Sequence, residues 1–203
     1  MLDSSLEFLT HELNEYLKLR TGTSESGDHK IYLTNVATDE GVVIPENSLG
    51  MSLINIEEER IFKEQKAVQV NGEGNVNKRN PEIKLNLYIL ISAYFQGNSS
   101  DSTADYSEGL KQLSYVISFF QAKNVFTSDN SPSMSDFDSR IKRLIVELFS
   151  YDFEQLYNFW SVVGTHYLPS VLYKIRLVRF QESAILDSGK PIEKIGIQTG
   201  KKS

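Results

Sequence analysis

The run Ile83-Lys84-Leu85-Asn86-Leu87-Tyr88-Ile89-Leu90-Ile91 is the strongest constraint on how this chain can fold. Ile83, Leu85, Leu87, Ile89 and Ile91 recur at a period of two, as does the second set Lys84, Asn86, Tyr88, Leu90 and Ser92. A period of two is that of an extended strand, whose successive side chains leave from opposite faces. Near its end the run is apolar on both faces, which predicts a central strand. Pro81 stands just before it, where a missing N–H costs little. The chain therefore has to supply other strands to flank this one.

Candidate neighbours lie on both sides. Leu49 to Ile56 alternates apolar and small residues and runs into Glu57-Glu58-Glu59-Arg60, where that strand ends or bends. Ile31 to Val36, Ile141 to Phe149 and Val171 to Phe180 read as further strands, and Ala67 to Val70 as a weaker one. Asp39-Glu40-Gly41 marks a turn. Asn71-Gly72-Glu73-Gly74-Asn75 is a strong turn between extended arms, in the manner of a protruding hairpin. Leu2, Leu6, Leu9, Leu13, Tyr16 and Leu17 form one helical stripe over roughly residues 3–20. Ser4 with Glu7 offers a capping box and Gly22 a C-terminal stop. A second helix is predicted over 106–122, buried through Leu110, Leu113, Val116, Ile117 and Phe120. A third, over 153–163, is capped by Asp152 and ended by Gly164. Residues 124–139 read as loop.

Several neighbouring strands lack a helical crossover between them, which favours antiparallel pairing. The expected fold is α+β, a single domain with a mixed, mostly antiparallel sheet packed with about three helices. The domain is predicted over residues 1–185, followed by a polar C-terminal tail over 186–203. A chain of 203 residues with this composition can bury such a core without staples.

Composition excludes more chemistry than it proposes. There is no cysteine, so disulfides, thiolate metal sites and cysteine nucleophiles are out. No apolar run approaches the roughly 18–20 residues needed to span a bilayer, and no secretory leader is expected. The net charge of −6 disfavours sequence-independent nucleic-acid binding. That charge is unevenly placed: residues 1–138 carry −10 and residues 139–203 carry +4. Drift over solvated faces explains this most simply. Opposite faces meeting head to tail between subunits, which can close a ring, are the sharper reading.

The three histidines, His11, His29 and His166, have no partners at metal-ligand spacing. No serine-nucleophile elbow or phosphate loop is present, and Gly72-Glu73-Gly74 fails at its third glycine. No catalytic residue, metal or cofactor is therefore expected. Glu57 and Glu59 would share one strand face and could in principle do acid–base work, but a solvated or salt-bridged segment beside Arg60 is the ordinary outcome. Phe153, Leu156, Tyr157, Phe159 and Trp160, with Tyr167 after them, are the densest aromatic cluster. It reads first as core, next as an interface, and last as a nucleic-acid stacking platform beside Arg176 and Arg179.

Several segments in order resemble the tail-terminator, or cap, protein family of extracellular contractile injection systems of the antifeeding-prophage type. They are Leu6 to Leu19, Leu53-Ile54-Asn55-Ile56-Glu57-Glu58-Glu59-Arg60, and Asn80-Pro81-Glu82-Ile83 through Leu90. Leu113 to Ile117, Phe119 to Gln121 and Asn124 to Phe126 follow, then Trp160 to Gly164 and Tyr167 to Arg176. The resemblance runs to about Ile185. It implies a homo-oligomeric ring, six-fold, at the distal end of the inner tube and sheath, stopping their growth and anchoring the last sheath layer. Its implied partners are further copies of itself and tube and sheath proteins, with no nucleic acid, membrane insertion or catalytic residue. Assembly would occur in the cytoplasm, as a component of a phage-tail-like particle. Asn55, Glu57, Glu58, Glu59, Arg60, Asn80, Glu82, Tyr167 and Arg176 are the candidate interface residues. Two other readings compete: an adaptor or chaperone for tube and sheath subunits, and a small-molecule enzyme using the Glu57–Arg60 cluster.

Overall fold

The computed structural model describes residues 1–22, 30–59, 68–70, 76–79, 83–95, 102–163, 166–180 and 185–189. In chain order the elements are α1 (Leu2–Thr21), β1 (Ile31–Leu33), β2 (Ala37–Thr38), β3 (Gly41–Val42), β4 (Ser48–Glu58), β5 (Val68–Val70), β6 (Val76–Arg79) and β7 (Ile83–Tyr94). They continue with α2 (Ser102–Ala122), β8 (Val125–Thr127), α3 (Met134–Phe137), β9 (Arg143–Phe149), α4 (Phe153–Val163), β10 (Ser170–Phe180) and β11 (Ile185–Gly189).

The main sheet has six strands in the order β1-β4-β7-β10-β9-β8. The alternating run is β7, and it lies centrally, antiparallel to β4 on one side and β10 on the other. Among the described strands only β1 and β4 pair in parallel. The fold is thus α+β with a mixed, mostly antiparallel sheet. β5 and β6 pair antiparallel; the turn expected at Asn71–Asn75 lies outside the described residues, as does Pro81. β11 adds antiparallel to the other side of β6, pairing Gly189 with Val76.

One sheet face is covered by α1, α2 and the single-turn α3. Leu87, Ile89 and Ile91 of β7 are fully buried there against Leu9, Leu13 and Leu17 of α1 and Val116 and Phe120 of α2. Fully burying side chains of this size contributes about 1.5–3 kcal/mol each, so this layer is the main source of stability. Phe8 and Phe126 meet edge to face at 5.7 Å within it. The opposite face carries a smaller core of Val36, Ile44, Leu90, Trp160, Leu168 and Leu172 under α4 and the β2–β3 hairpin. Leu90 is buried there, which is why β7 is apolar on both sides near its end. Gly50 lets Ile44 approach: a Cβ at that position would lie 2.6 Å from Ile44 Cδ1.

Three local expectations are corrected. α1 begins at Leu2, so the Ser4–Glu7 capping box does not form. Instead the Ser5 hydroxyl donates to the Met1 carbonyl at 2.7 Å. The far end is as expected, with Gly22 at φ 71° donating its N–H to Lys18 O at 3.0 Å. α2 buries Gln112, Leu113, Val116, Phe119 and Phe120, and leaves Leu110 and Ile117 partly exposed. Apolar residues nearly encircle this helix, so the sequence period alone could not fix its rotation, and contacts of Phe119 with Tyr16 and Phe126 decide it. Residues 124–139 contain β8 and α3, held by the buried Met134 and by Ser133 Oγ donating to Glu12 Oε1 at 2.9 Å.

Candidate interaction surfaces

Two surfaces gather the residues that the sequence pointed to. The first is the half of the second sheet face that α4 leaves uncovered. There the register sets Asn55 opposite Tyr88 and Glu57 opposite Asn86 across β4 and β7. β10 adds Lys174 opposite Tyr88 and Arg176 opposite Asn86. The Tyr88 hydroxyl donates to Glu57 Oε2 at 2.8 Å, and Asn86 Nδ2 donates to Glu59 Oε2 at 3.2 Å. Desolvation, and then the bond to Glu57, raise the Tyr88 phenol above its ordinary pKa. Lys174 Nζ lies 5.8 Å from the centre of the Tyr88 ring. Arg176 grips Glu147 of β9 with a fork, Nε to Oε2 at 3.0 Å and Nη2 to Oε1 at 2.8 Å.

This surface brings together four of the proposed residues: Asn55, Glu57 and Glu59 along or just after β4, and Arg176 on β10, whereas Glu58, opposite Leu85, belongs to the other face of the sheet. Arg60, Asn80 and Glu82 lie outside the described residues. The Glu57 and Glu59 carboxylates share a face but accept from the neutral donors Tyr88 and Asn86. Among the described residues no three His, Asp or Glu side chains stand together as a metal site. The acidic first part of the chain and the basic last part here flank β7 on one sheet, so part of the charge segregation in sequence is brought together within one subunit.

The second surface is the outer side of α4. Asp152 Oδ1 accepts from the Gln155 N–H at 2.7 Å while Gln155 Oε1 accepts from the Asp152 N–H at 3.2 Å. This reciprocal cap starts the helix at Phe153. Trp160 turns inward to the smaller core, with Phe159 edge-on at 5.5 Å. Beside that stripe Phe153 is 91% exposed and Tyr157 74%, while Val162, 87% exposed, lies on the far side of the helix. Tyr167, 58% exposed, leans edge-on against Trp160 at 5.5 Å. Phe153, Tyr157, Trp160, His166 and Tyr167 line a shallow concavity of about 490 Å³. The aromatic cluster therefore divides, with Trp160 in the core and Phe153, Tyr157 and Tyr167 at the surface. Leu156 and Phe159 pack partly buried against the core residues. Phe153 and Tyr157 carried the signal in sequence, since a helix needs only one apolar stripe to dock and these two lie beside it.

A single α+β domain whose prominent features are an open polar sheet face and an unpaired aromatic helix is a protein suited to contacts with other proteins. The family model for the Pvc16 N-terminal domain matches residues 6–194, and the chain belongs to that family. Among solved structures, the fold is similar to the sheath/tube terminator of an extracellular contractile injection system (PVC) in its extended state. The TM-score is 0.56 at 12% identity, covering 94% of this chain and 63% of that one. The tube-terminating cap of the anti-feeding prophage is also similar, with a TM-score of 0.48 at 12% identity, covering 92% of this chain and 59% of that one. The chain thus spans less than two thirds of the length of either structure. A comparison with curated proteins found no match.

Proposed function

We propose that this chain forms the body of a tail terminator of a contractile injection system, a non-catalytic cap that ends the inner tube and sheath. Membership of the Pvc16 N-terminal domain family over residues 6–194 carries this reading. The fold shared with a sheath/tube terminator supports it. Helical polymers grow because head-to-tail contacts never close, and a ring seated on the last layer ends the series. The cap assembles with further copies of itself, as a hexamer, and with tube and sheath subunits. It acts as a component of an extracellular particle. Among the described residues no helix is long and apolar enough to cross a membrane.

Contacts are assigned to the two surfaces described above. The exposed aromatic side of α4 has the composition of an interface centre, where Tyr, Trp and Phe carry most of the binding energy. The β4–β10 sheet face, with Asn55, Glu57, Glu59 and Arg176, supplies polar contacts that set register, as do Glu58 on the other side of β4 and Arg60, Asn80 and Glu82, and Tyr167 belongs to the aromatic surface. The test is co-sedimentation with assembled inner tube, comparing the natural chain with a Phe153→Ser/Tyr157→Ser variant. Both side chains are exposed, so the variant keeps its fold. The natural chain sediments with tube and the variant does not. A natural chain indifferent to tube sinks the terminator reading, and a variant that binds unchanged removes α4 from the interface.

A further inference from the structure

An edge strand leaves a row of N–H and C=O groups that another chain can pair with. At β1 those of Ile31 are occupied. Leu49 N–H donates to Lys30 O and Thr34 N–H to Met51 O, so the alternate residue Ile31 faces away from β4. Asn14, buried on α1, reaches over to it. Its Nδ2 donates to the Ile31 carbonyl at 2.9 Å, and its Oδ1 accepts from the Ile31 N–H at 3.0 Å and the Lys30 N–H at 2.9 Å. A neighbouring strand would make the same pair of bonds to Ile31.

The opposite edge repeats the device. β8 uses one side to hold β9, with Val146 N–H donating to Asn124 O at 2.8 Å. Its other side is met by Asn130, whose Nδ2 donates to the Val125 carbonyl at 2.9 Å and whose Oδ1 accepts from the Thr127 N–H at 3.0 Å. The Thr127 carbonyl accepts from Ser131 N–H at 2.9 Å. Where β4 runs on past β1, the Ile56 N–H is bonded to Asn55 Oδ1 at 2.9 Å. The pairing of Glu59 N–H with Lys84 O directs the Ile56 N–H away from β7.

We infer that asparagine side chains close both edge strands of the six-stranded sheet, so that neither takes up a strand from a second copy or from another protein. A primary amide carries a donor and an acceptor at the spacing of a backbone peptide group, which is why asparagine serves at both positions. Proteins that bind this chain are thereby kept from adding a strand at these two positions. The inference concerns how any partner docks and stands whether or not the chain is a terminator.

The experiment opens one edge. Asn130 is exposed, so Asn130→Ala keeps the fold, and Asn130→Ser, too short to reach both backbone groups, serves as a second variant. The probe is a fluorescent peptide with the β9 sequence Arg143–Phe149, flanked by lysines for solubility, read by anisotropy. The natural chain does not bind it saturably. The variants bind it about tenfold more tightly or better. Adding Thr127→Pro to Asn130→Ala removes the outward N–H and abolishes binding again. Equal binding by the natural chain and the variants, no binding by either variant, or binding that survives the proline overturns the inference.

Discussion

Replacing Asn14 by alanine is the sharpest test of how this fold is held together. The side chain is buried and makes three hydrogen bonds to the backbone of Lys30 and Ile31, two of them in fully buried surroundings. Each such bond contributes about 1 kcal/mol net, and an orphaned buried group costs about 1–3 kcal/mol. The loss is then about 3 kcal/mol. For a chain of this length each kcal/mol shifts Tm by about 2–4 °C, so a fall of about 6–12 °C is expected. Urea unfolding measures the change directly, with an unchanged m-value as the sign that stability alone has moved. Ser118→Ala is the control, because the Ser118 hydroxyl donates to Ser114 O on an exposed helix surface at 2.8 Å. Its effect stays within about 0.5 kcal/mol. If Asn14→Ala costs no more than Ser118→Ala, water replaces the amide at β1, and the account of that edge is wrong.

Gly50→Ala is expected to destabilise by about 1–3 kcal/mol, because its Cβ would lie 2.6 Å from Ile44, itself buried in the smaller core. Ile44→Val should cost less in that background than alone, as a double-mutant cycle would report. Asp152→Ala removes the reciprocal cap of α4 and costs about 1 kcal/mol, with faster amide exchange confined to the first turn of that helix. Burial pushes the Tyr151 and Tyr173 phenols up to about 12. Folded values above the unfolded value of 10.0 mean stability is full below pH 10 and falls as pH rises toward 12, which denaturant unfolding across that range would follow. Tyr151→Phe weakens that alkaline loss and costs nothing at neutral pH, since the Tyr151 hydroxyl is buried without a hydrogen-bond partner.

The sheet was the most legible part of the sequence. The Ile83–Ile91 alternation placed β7 at the centre because period two and apolarity on both faces are properties of the strand itself. The start of α4 was equally plain, since the Asp152 cap marks it locally, while Gly164, the expected stop, lies outside the described residues. Features set by distant contacts were hidden. The rotation of α2 depends on Phe119 meeting Tyr16, and α3 on a hydroxyl meeting Glu12. The candidate site was half legible. Glu57, Glu59 and Arg176 were singled out singly, whereas their partners Tyr88, Asn86 and Glu147 come from register, which sequence leaves open. The aromatic cluster was visible, but its division into a buried Trp160 and an exposed Phe153 and Tyr157 required the helix to be docked. The edge asparagines carried no sequence signal, because Asn14 and Asn130 look like any polar residue on a helix or in a turn.

The most direct test of the central claim is the mass of the purified chain by light scattering, alone and mixed with assembled inner tube. The terminator account predicts a ring-sized species, or one that forms only at tube ends. A monomer that stays monomeric and ignores the tube contradicts it.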